Sequence, residues 1–222
     1  MKFSDKTLTL LKNFSSVNKS ILFKKGKTLK TISMMKNILA EATVQEEFPK
    51  DFGIYDLNQF ISALELHTDP EFDFSNDGYV NIREGKIRSK YFFADPNVIV
   101  TPPDKDITLP SEDVCFLLNT DQLSKLVKAS SIYQLEDLSV VGESGVVKLV
   151  IRDKKNDTSN NFSIIVGETE DEFMFNFKVD NIKLILAGSY EVVISKKLLA
   201  RFSNSNHDLV YYIALEPDST FG

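Results

Sequence analysis

Apolar residues at Leu10, Leu11, Phe14 and Val17 recur with the spacing of one helix face, so the sequence predicts a helix opened by a Ser4 or Asp5 cap. Lys6, Thr9, Lys12, Asn13 and Ser16 fall on the opposite face, which is basic and rich in amides and hydroxyls, with Asp5 as its acid. Alternation then predicts strands over 21–23, 28–33 and 39–44, the first two flanking a Lys24-Lys25-Gly26-Lys27 turn. A second short helix starts at Asp56, with Leu57, Phe60, Ile61 and Leu64 on one side and uncharged Asn58, Gln59 and Ser62 on the other. Strand patterns over 71–74 and 79–82 flank Asn76-Asp77-Gly78, a hairpin signal, and another strand follows over 87–93.

The stretch from Ala94 to Pro110 interrupts this programme. It holds Pro96, Pro102, Pro103 and Pro110, each of which fixes φ and lacks an amide donor, so an extended crossing is expected rather than a helix or interior strand. Its apolar run Val98-Ile99-Val100 is expected to pack against the body of the protein. Beyond it the pattern restarts: a strand over 115–118, a helix capped by Thr120 with Leu123, Leu126, Val127 and Ser130 inward and Lys125 and Lys128 outward, and strands over 138–141, 146–152 and 162–166. A short helix over 180–187 brings Lys183, and strands over 190–195, 198–202 and 209–215 complete the second half. At an offset of 115, Leu8, Leu11, Ser15, Ser16 and Val17 meet Leu123, Leu126, Ser130, Ser131 and Ile132, a weak repeat in sequence but a clear one in organisation. The expected division is a first domain over 1–96, a connector over 97–110 and a second domain over 111–222.

Composition changes this picture little and charge changes it more. With 42% hydrophobic and 26% charged residues among 222, the chain reads as a soluble globular protein, and no apolar run approaches a membrane span. The opening residues lack the unbroken apolar core of an export signal. The net charge is −6, yet residues 1–36 carry nine lysines against Asp5, hence +8, which leaves −14 for the remainder. A basic region on an acidic protein can form a local anion-binding surface while the rest repels the same ligand.

Candidate chemistry is sparse. Cys115, the single cysteine, is expected to be a small buried hydrophobe. His67 and His207 stand in no metal-ligand spacing and are expected on the surface or in turns. Glu168, Glu170, Asp171 and Glu172 read as a solvated loop, and no phosphate-binding loop, nucleophile elbow or cysteine cluster occurs. No cofactor or metal is expected from these patterns, and a non-catalytic binding protein is the better reading. One rival remains. Asp73, Ser75, Asp77, Gly78 and Glu84 match the spacing of a calcium loop, with the Tyr79 carbonyl as a further ligand, so the alternative is a calcium-binding β-rich module using Asp73 to Glu84. The strand-like flanks argue for a tight hairpin instead.

Leu10-Leu11-Lys12-Asn13-Phe14, Ile54-Tyr55-Asp56-Leu57-Asn58, Ala94-Asp95-Pro96, Phe175-Asn176-Phe177 and the run from Ala214 to Thr220 resemble, in order and spacing, the sliding clamps, or DNA polymerase processivity factors, of T4-like bacteriophages. The resemblance spans nearly the whole chain, with departures over 33–39 and 153–161. It implies an α+β fold of two similar domains of the DNA clamp type, antiparallel sheets outside and short helices lining a ring. The implied assembly is a homotrimer closed by strand edges, for which 87–92 and 161–167 are candidates. The implied partners are encircled duplex DNA, held without sequence reading, a DNA polymerase and a clamp loader. The implied setting is replication, with transcription, in the cytoplasm of an infected bacterium. Lys6, Lys12, Lys125, Lys128 and Lys183 would face the duplex. Met34, Met35, Ile38, Val98, Ile99, Val100, Ala214, Leu215 and Pro217 would form a client-peptide pocket beneath the connector. By its likeness to clamps the chain would bind and tether rather than catalyse.

Overall fold

The computed structural model describes residues 1–156 and 158–222 and divides into two units, Met1–Lys105 with Asn206–Leu209, and Asp106–Ser205 with Val210–Gly222. In the first, helix α1 (Asp5–Val17) is capped by Ser4, whose side chain accepts the Thr7 amide, and buries Leu10, Leu11, Phe14 and Val17 as the spacing predicts. Strands β1 (Ile21–Phe23) and β4 (Phe52–Ile54) pair antiparallel, as do β2 (Gly26–Ile32) and β3 (Ile38–Phe48). Helix α2 (Leu57–Leu64) is capped by Asp56, whose side chain accepts the Gln59 amide, and lies against α1. Strands β5 (Glu71–Asp73), β6 (Tyr79–Glu84) and β7 (Ile87–Phe92) form a three-stranded sheet with β7 at one edge.

Aromatic rings fill this unit. Phe23 stacks on Phe52 at 4.5 Å between centroids, Phe3 on Phe72 at 4.2 Å, and Phe48 meets Phe23 edge-on at 5.0 Å. Each of the four apolar side chains that α1 buries contributes about 1.5–3 kcal/mol, which holds the basic face of the helix outward.

The start of α1 is also tied to β3. Glu46 is buried at 8% exposure and accepts the Ser4 amide and, at 2.5 Å, the Thr7 hydroxyl. Burial alone would raise the Glu46 pKa, but the hydrogen bonds from Thr7 and Ser4 outweigh it and hold the carboxyl below its ordinary value of 4.5. A lowered carboxyl pKa gives stability that is full above the unfolded value and lost as pH falls through the folded one. Wild-type stability should therefore decline below about pH 4.5. Glu46→Ala should cost about 1–3 kcal/mol at neutral pH and flatten that acid limb, both read by urea melts across pH.

The second unit opens with β8 (Val114–Leu118) and α3 (Thr120–Tyr133). The cap of α3 is Asn119, not Thr120: its side chain accepts the Gln122 amide and the Gln122 side chain accepts the Asn119 amide, a capping box. Strands β9 (Asp137–Glu143), β10 (Val146–Arg152), β11 (Phe162–Glu168) and β12 (Phe173–Lys178) follow, then α4 (Val179–Ile182), β13 (Tyr190–Ser195), β14 (Leu199–Asn204), β15 (Leu209–Ala214) and β16 (Thr220–Phe221). One sheet has the order β11-β10-β9-β12-β16, with β11 at its edge, and β15-β14-β13-β8 are consecutive in another.

Three strands escaped the sequence pattern: β4, β12 and β16. In β12, Phe173, Phe175 and Phe177 are buried and alternate with Met174, Asn176 and Lys178, but Asn176 is buried too, so the outer face does not read as solvated. Helix α4 is one turn rather than the eight residues expected, because the chain leaves the helix through turns at Lys183 to Ile185 before Gly188 is reached. In the repeat, Val17 is buried but its counterpart Ile132 is 63% exposed.

Candidate functional site

Four of the five lysines singled out in the sequence sit on helices, Lys183 follows one, and four of the five carry an acid partner. On α1, Lys6 Nζ lies 2.9 Å from Asp208 and Lys12 Nζ 3.5 Å from Glu65. On α3, Lys125 pairs with Asp121 at 2.7 Å, one turn earlier, while Lys128 is exposed. After α4, Lys183 pairs with Asp180 at 3.4 Å. Asn58, Gln59 and Ser62 are exposed on α2 as expected. The face of α1 is therefore not opposed by Asp5 alone. Asp208 is 202 residues away in sequence and Glu65 is 53, so helical periodicity could not reveal either.

The connector behaves as an extended strap with one short turn. Asp95 caps a 3-10 turn at Pro96–Val98. Ile99 is buried, and a Cβ on Gly53 would stand 2.6 Å from its Cδ1, so the absence of a side chain at Gly53 lets the connector lie close. Val98 is exposed and Val100 half-buried. Residues Thr101, Pro102, Pro103 and Asp104 roof a cavity of about 210 Å³ whose other walls are Leu22, Lys24, Thr28 and Lys30. None of these eight residues was among the expected pocket residues, although Pro102 and Pro103 stood out as connector prolines and Lys24 as part of a turn. The signal lay in the Pro102-Pro103 pair, which stiffens a roof, and in Leu22, which alternates outward between buried Ile21 and Phe23.

The expected pocket residues divide by burial. Met34 and Met35, in the turn after β2, are 67% and 83% exposed, whereas Ile38 is buried in β3. In the second unit Pro217 is exposed, Ala214 half-buried and Leu215 buried, its amide donating to the Leu198 carbonyl at 3.0 Å. Ile38, Ile99 and Leu215 thus serve the core rather than an open apolar cleft.

The C-terminal run is latched onto β12. The Glu216 amide donates to the Asn176 carbonyl, the Asn176 amide to Ser219 Oγ at 2.9 Å, and Asn176 Nδ2 to Asp218 at 3.1 Å. Lys154, 2.8 Å from Asp218, is the main cause that lowers the Asp218 pKa, with Asn176 adding to it.

The calcium reading fails on geometry. Asp73 and Glu84 belong to strands, not helices, and their carboxylates are already committed: Asp73 to Arg83 at 2.8 Å and the Ser75 amide, Glu84 to the amides of Thr68 and Asp69. Lys50 Nζ occupies the turn, on the Asn76 carbonyl and 3.1 Å from Asp77. No cluster of three or more metal-ligating side chains occurs among the described residues.

Two further expectations are corrected. His67 is buried, not on the surface, with Nε2 2.9 Å from Ser89 Oγ. Glu84 stands 3.8 Å from its Nδ1, too far for the hydrogen bond that would orient a catalytic histidine. Cys115 is exposed on β8 rather than buried. Partial burial and the nearby Glu191 and Glu112 push its thiol pKa up, the reverse of an activated nucleophile.

Two units, each built of antiparallel sheet and two short helices with lysines on or beside them, define a DNA clamp fold, and solved structures agree. The chain matches Proliferating Cellular Nuclear Antigen from Entamoeba histolytica with a TM-score of 0.70 at 13% identity over 94% of both chains. It matches the A. fulgidus PCNA bound to the C-terminal region of FEN-1 with a TM-score of 0.67 at 14% identity over 96% of both. Residues 2–101 match the family of DNA polymerase processivity factors, and residues 115–217 the family described as gp45 sliding clamp, C terminal. The sliding clamp of Escherichia phage RB69 is 31% identical over 99% of both chains. The chain belongs to the phage sliding clamp family of DNA polymerase processivity factors.

Proposed function

We propose that this clamp closes with two further copies into a ring that encircles duplex DNA without reading its sequence and tethers the replicative polymerase, itself catalysing nothing. Residues 1–96 and 111–222 are the two clamp domains and 97–110 the connector. The clamp is placed on DNA by a loader and works in the cytoplasm of the infected host; no helix among the described residues is long and apolar enough to cross a membrane. The observation that carries the reading is the location of Lys6, Lys12, Lys125, Lys128 and Lys183 on or beside the helices of a clamp fold whose other residues carry a net charge of −11 (21 Lys and Arg against 32 Asp and Glu). They meet phosphates through water or fleetingly, which gives affinity without specificity.

Ring closure joins the β7 edge of one copy to the β11 edge of the next. Both are unpaired strand edges in the single chain, and their charges are complementary: Arg88 and Lys90 are exposed on β7, and Glu168, Glu170, Asp171 and Glu172 are exposed at and after the end of β11. Client proteins bind on the first unit through a short apolar peptide that enters the cavity beneath Thr101 to Asp104, with Met34, Met35 and Val98 as further exposed apolar contacts. The A. fulgidus PCNA of similar fold is bound to the C-terminal region of FEN-1, which supports binding of a partner through a terminal segment.

Charge reversal at Lys12 and Lys125 together tests the duplex reading. Lys12→Glu with Lys125→Glu should lower clamp-dependent primer extension about tenfold at low salt, with the gap to wild type narrowing as salt rises, because each change replaces a cation by an anion facing phosphate and salt screens both. Variants that assemble like wild type and stimulate the polymerase fully would displace the duplex from this face.

A further inference from the structure

Each unit places two lysines of the DNA-facing set against carboxylates: Lys6 with Asp208 and Lys12 with Glu65 in the first, Lys125 with Asp121 and Lys183 with Asp180 in the second. Lys128 is the one member of the set with no carboxylate partner among the described residues. We propose that Glu65, Asp121, Asp180 and Asp208 are internal counterions that weaken the grip of the lining on DNA, so that the clamp holds the duplex loosely enough to move along it. The proposal rests on the reading of these lysines as the DNA-facing set.

Asp121 and Asp180 stand in the first turns of α3 and α4, where a negative charge also favours the helix dipole, but Glu65 and Asp208 are poorly explained by fold stability. Glu65 follows the last turn of α2, where a negative charge opposes the helix dipole, and Lys12 is the partner of its carboxylate. Glu65 lies three residues after Ser62, hence on the polar face of α2 rather than its buried one. Asp208 sits in the turn before β15 in the left-handed region, φ 46°, which asparagine adopts equally well. Its carboxylate reaches across to α1, while its carbonyl accepts the Thr43 amide.

An exposed lysine–carboxylate pair is weak, so it does not lock the lysine away. It acts by competition. A lysine already neutralised releases fewer counterions from DNA when it approaches a phosphate, and the acid beside it repels that phosphate. Both effects reduce affinity and both flatten its salt dependence.

The test is anisotropy titration of a labelled blunt duplex with the full-length protein over a series of salt concentrations, for wild type, Glu65→Gln, Asp208→Asn and the double variant. Each amide should tighten binding at low salt and steepen the slope of log K against log salt by about 0.9 or more, one freed lysine per subunit. Adding Lys12→Ala to Glu65→Gln should return the slope to the wild-type value. Slopes identical to wild type in all three acid variants overturn the proposal. So does a steepened slope that Lys12→Ala leaves untouched, which would make Glu65 a source of general repulsion. If the duplex reading itself is wrong the signature differs: Lys128→Glu then binds DNA as wild type does, and the counterion proposal falls with it.

Discussion

Sedimentation of the purified chain is expected to give about 75 kDa, three times the 25.1 kDa of one copy, and Phe92→Asp is expected to return it to a single copy. Phe92 lies on the edge strand β7 at 67% exposure and Ile165 on the edge strand β11 at 62%, values high for large apolar side chains in an isolated sheet. Burying each in an interface contributes about 1.5–3 kcal/mol, and forcing a carboxylate into the place of Phe92 adds a desolvation cost. With about 1.4 kcal/mol per tenfold, the subunit dissociation constant should rise at least a hundredfold. One substitution alters all three interfaces of a closed ring. Ile165→Asp should act alike from the other side, and neither side chain is part of the core, so melting of the single copy should change little. Raising salt should loosen the wild-type ring by screening Arg88 and Lys90 from the acidic end of β11. A wild-type chain that stays monomeric at tens of micromolar, or stops at a dimer, would overturn ring closure.

What was legible in the chain followed from periodicity and caps. Helices α1 and α2 appear where Leu10, Leu11, Phe14, Leu57, Phe60 and Ile61 place them, because one inward stripe and one capping side chain settle a short helix locally. The hairpin at Asn76-Asp77-Gly78 was likewise local. Relations between distant segments were not. Phe175-Asn176-Phe177 and the run from Ala214 to Thr220 carry the family resemblance as separate strings, and the structure shows them to be one feature, since Asn176 holds Glu216, Asp218 and Ser219. Gly53, beside Ile54-Tyr55-Asp56, and Ala94 of Ala94-Asp95-Pro96 similarly join in an isolated bridge, the Ala94 amide donating to the Gly53 carbonyl. Asp208 and Glu65 belong with the basic face of α1 for the same reason: side chains far apart in sequence share a surface that no local pattern describes. Burial of polar residues also hid β12, where Asn176 occupies a position that alternation assigns to solvent.

Leu22→Glu is expected to weaken binding of the polymerase's C-terminal peptide at least tenfold while leaving the fold and the ring unchanged. The cavity of about 210 Å³ has room for the tip of one apolar anchor and little more. Two of its walls are fixed: Pro102 and Pro103 restrict the roof, and Leu22 pairs with Gly53 across β1 and β4. Lys24 and Lys30 at its margin are already paired, with Asp51 at 3.4 Å and Glu41 at 3.1 Å, so apolar contact rather than charge is what the cavity offers. Leu22 is half-buried between inward Ile21 and Phe23, so a glutamate there can reach water in the free protein but must be desolvated when an anchor enters. Losing the leucine contact and desolvating a carboxylate together exceed the roughly 1.4 kcal/mol that a tenfold change requires. Leu215→Asp is a poor test of the same idea, because Leu215 is 6% exposed and a buried carboxylate would destabilise the second unit. Met35→Glu and Val98→Glu complete the experiment, since both side chains are already exposed and neither change should disturb the fold. Titrating the labelled peptide against the three variants separates the possibilities. Loss confined to Leu22→Glu places the anchor beneath the connector. Loss confined to Met35→Glu or Val98→Glu moves it to the methionine turn or the connector's outer side, and equal affinity in all three removes the client surface from the first unit.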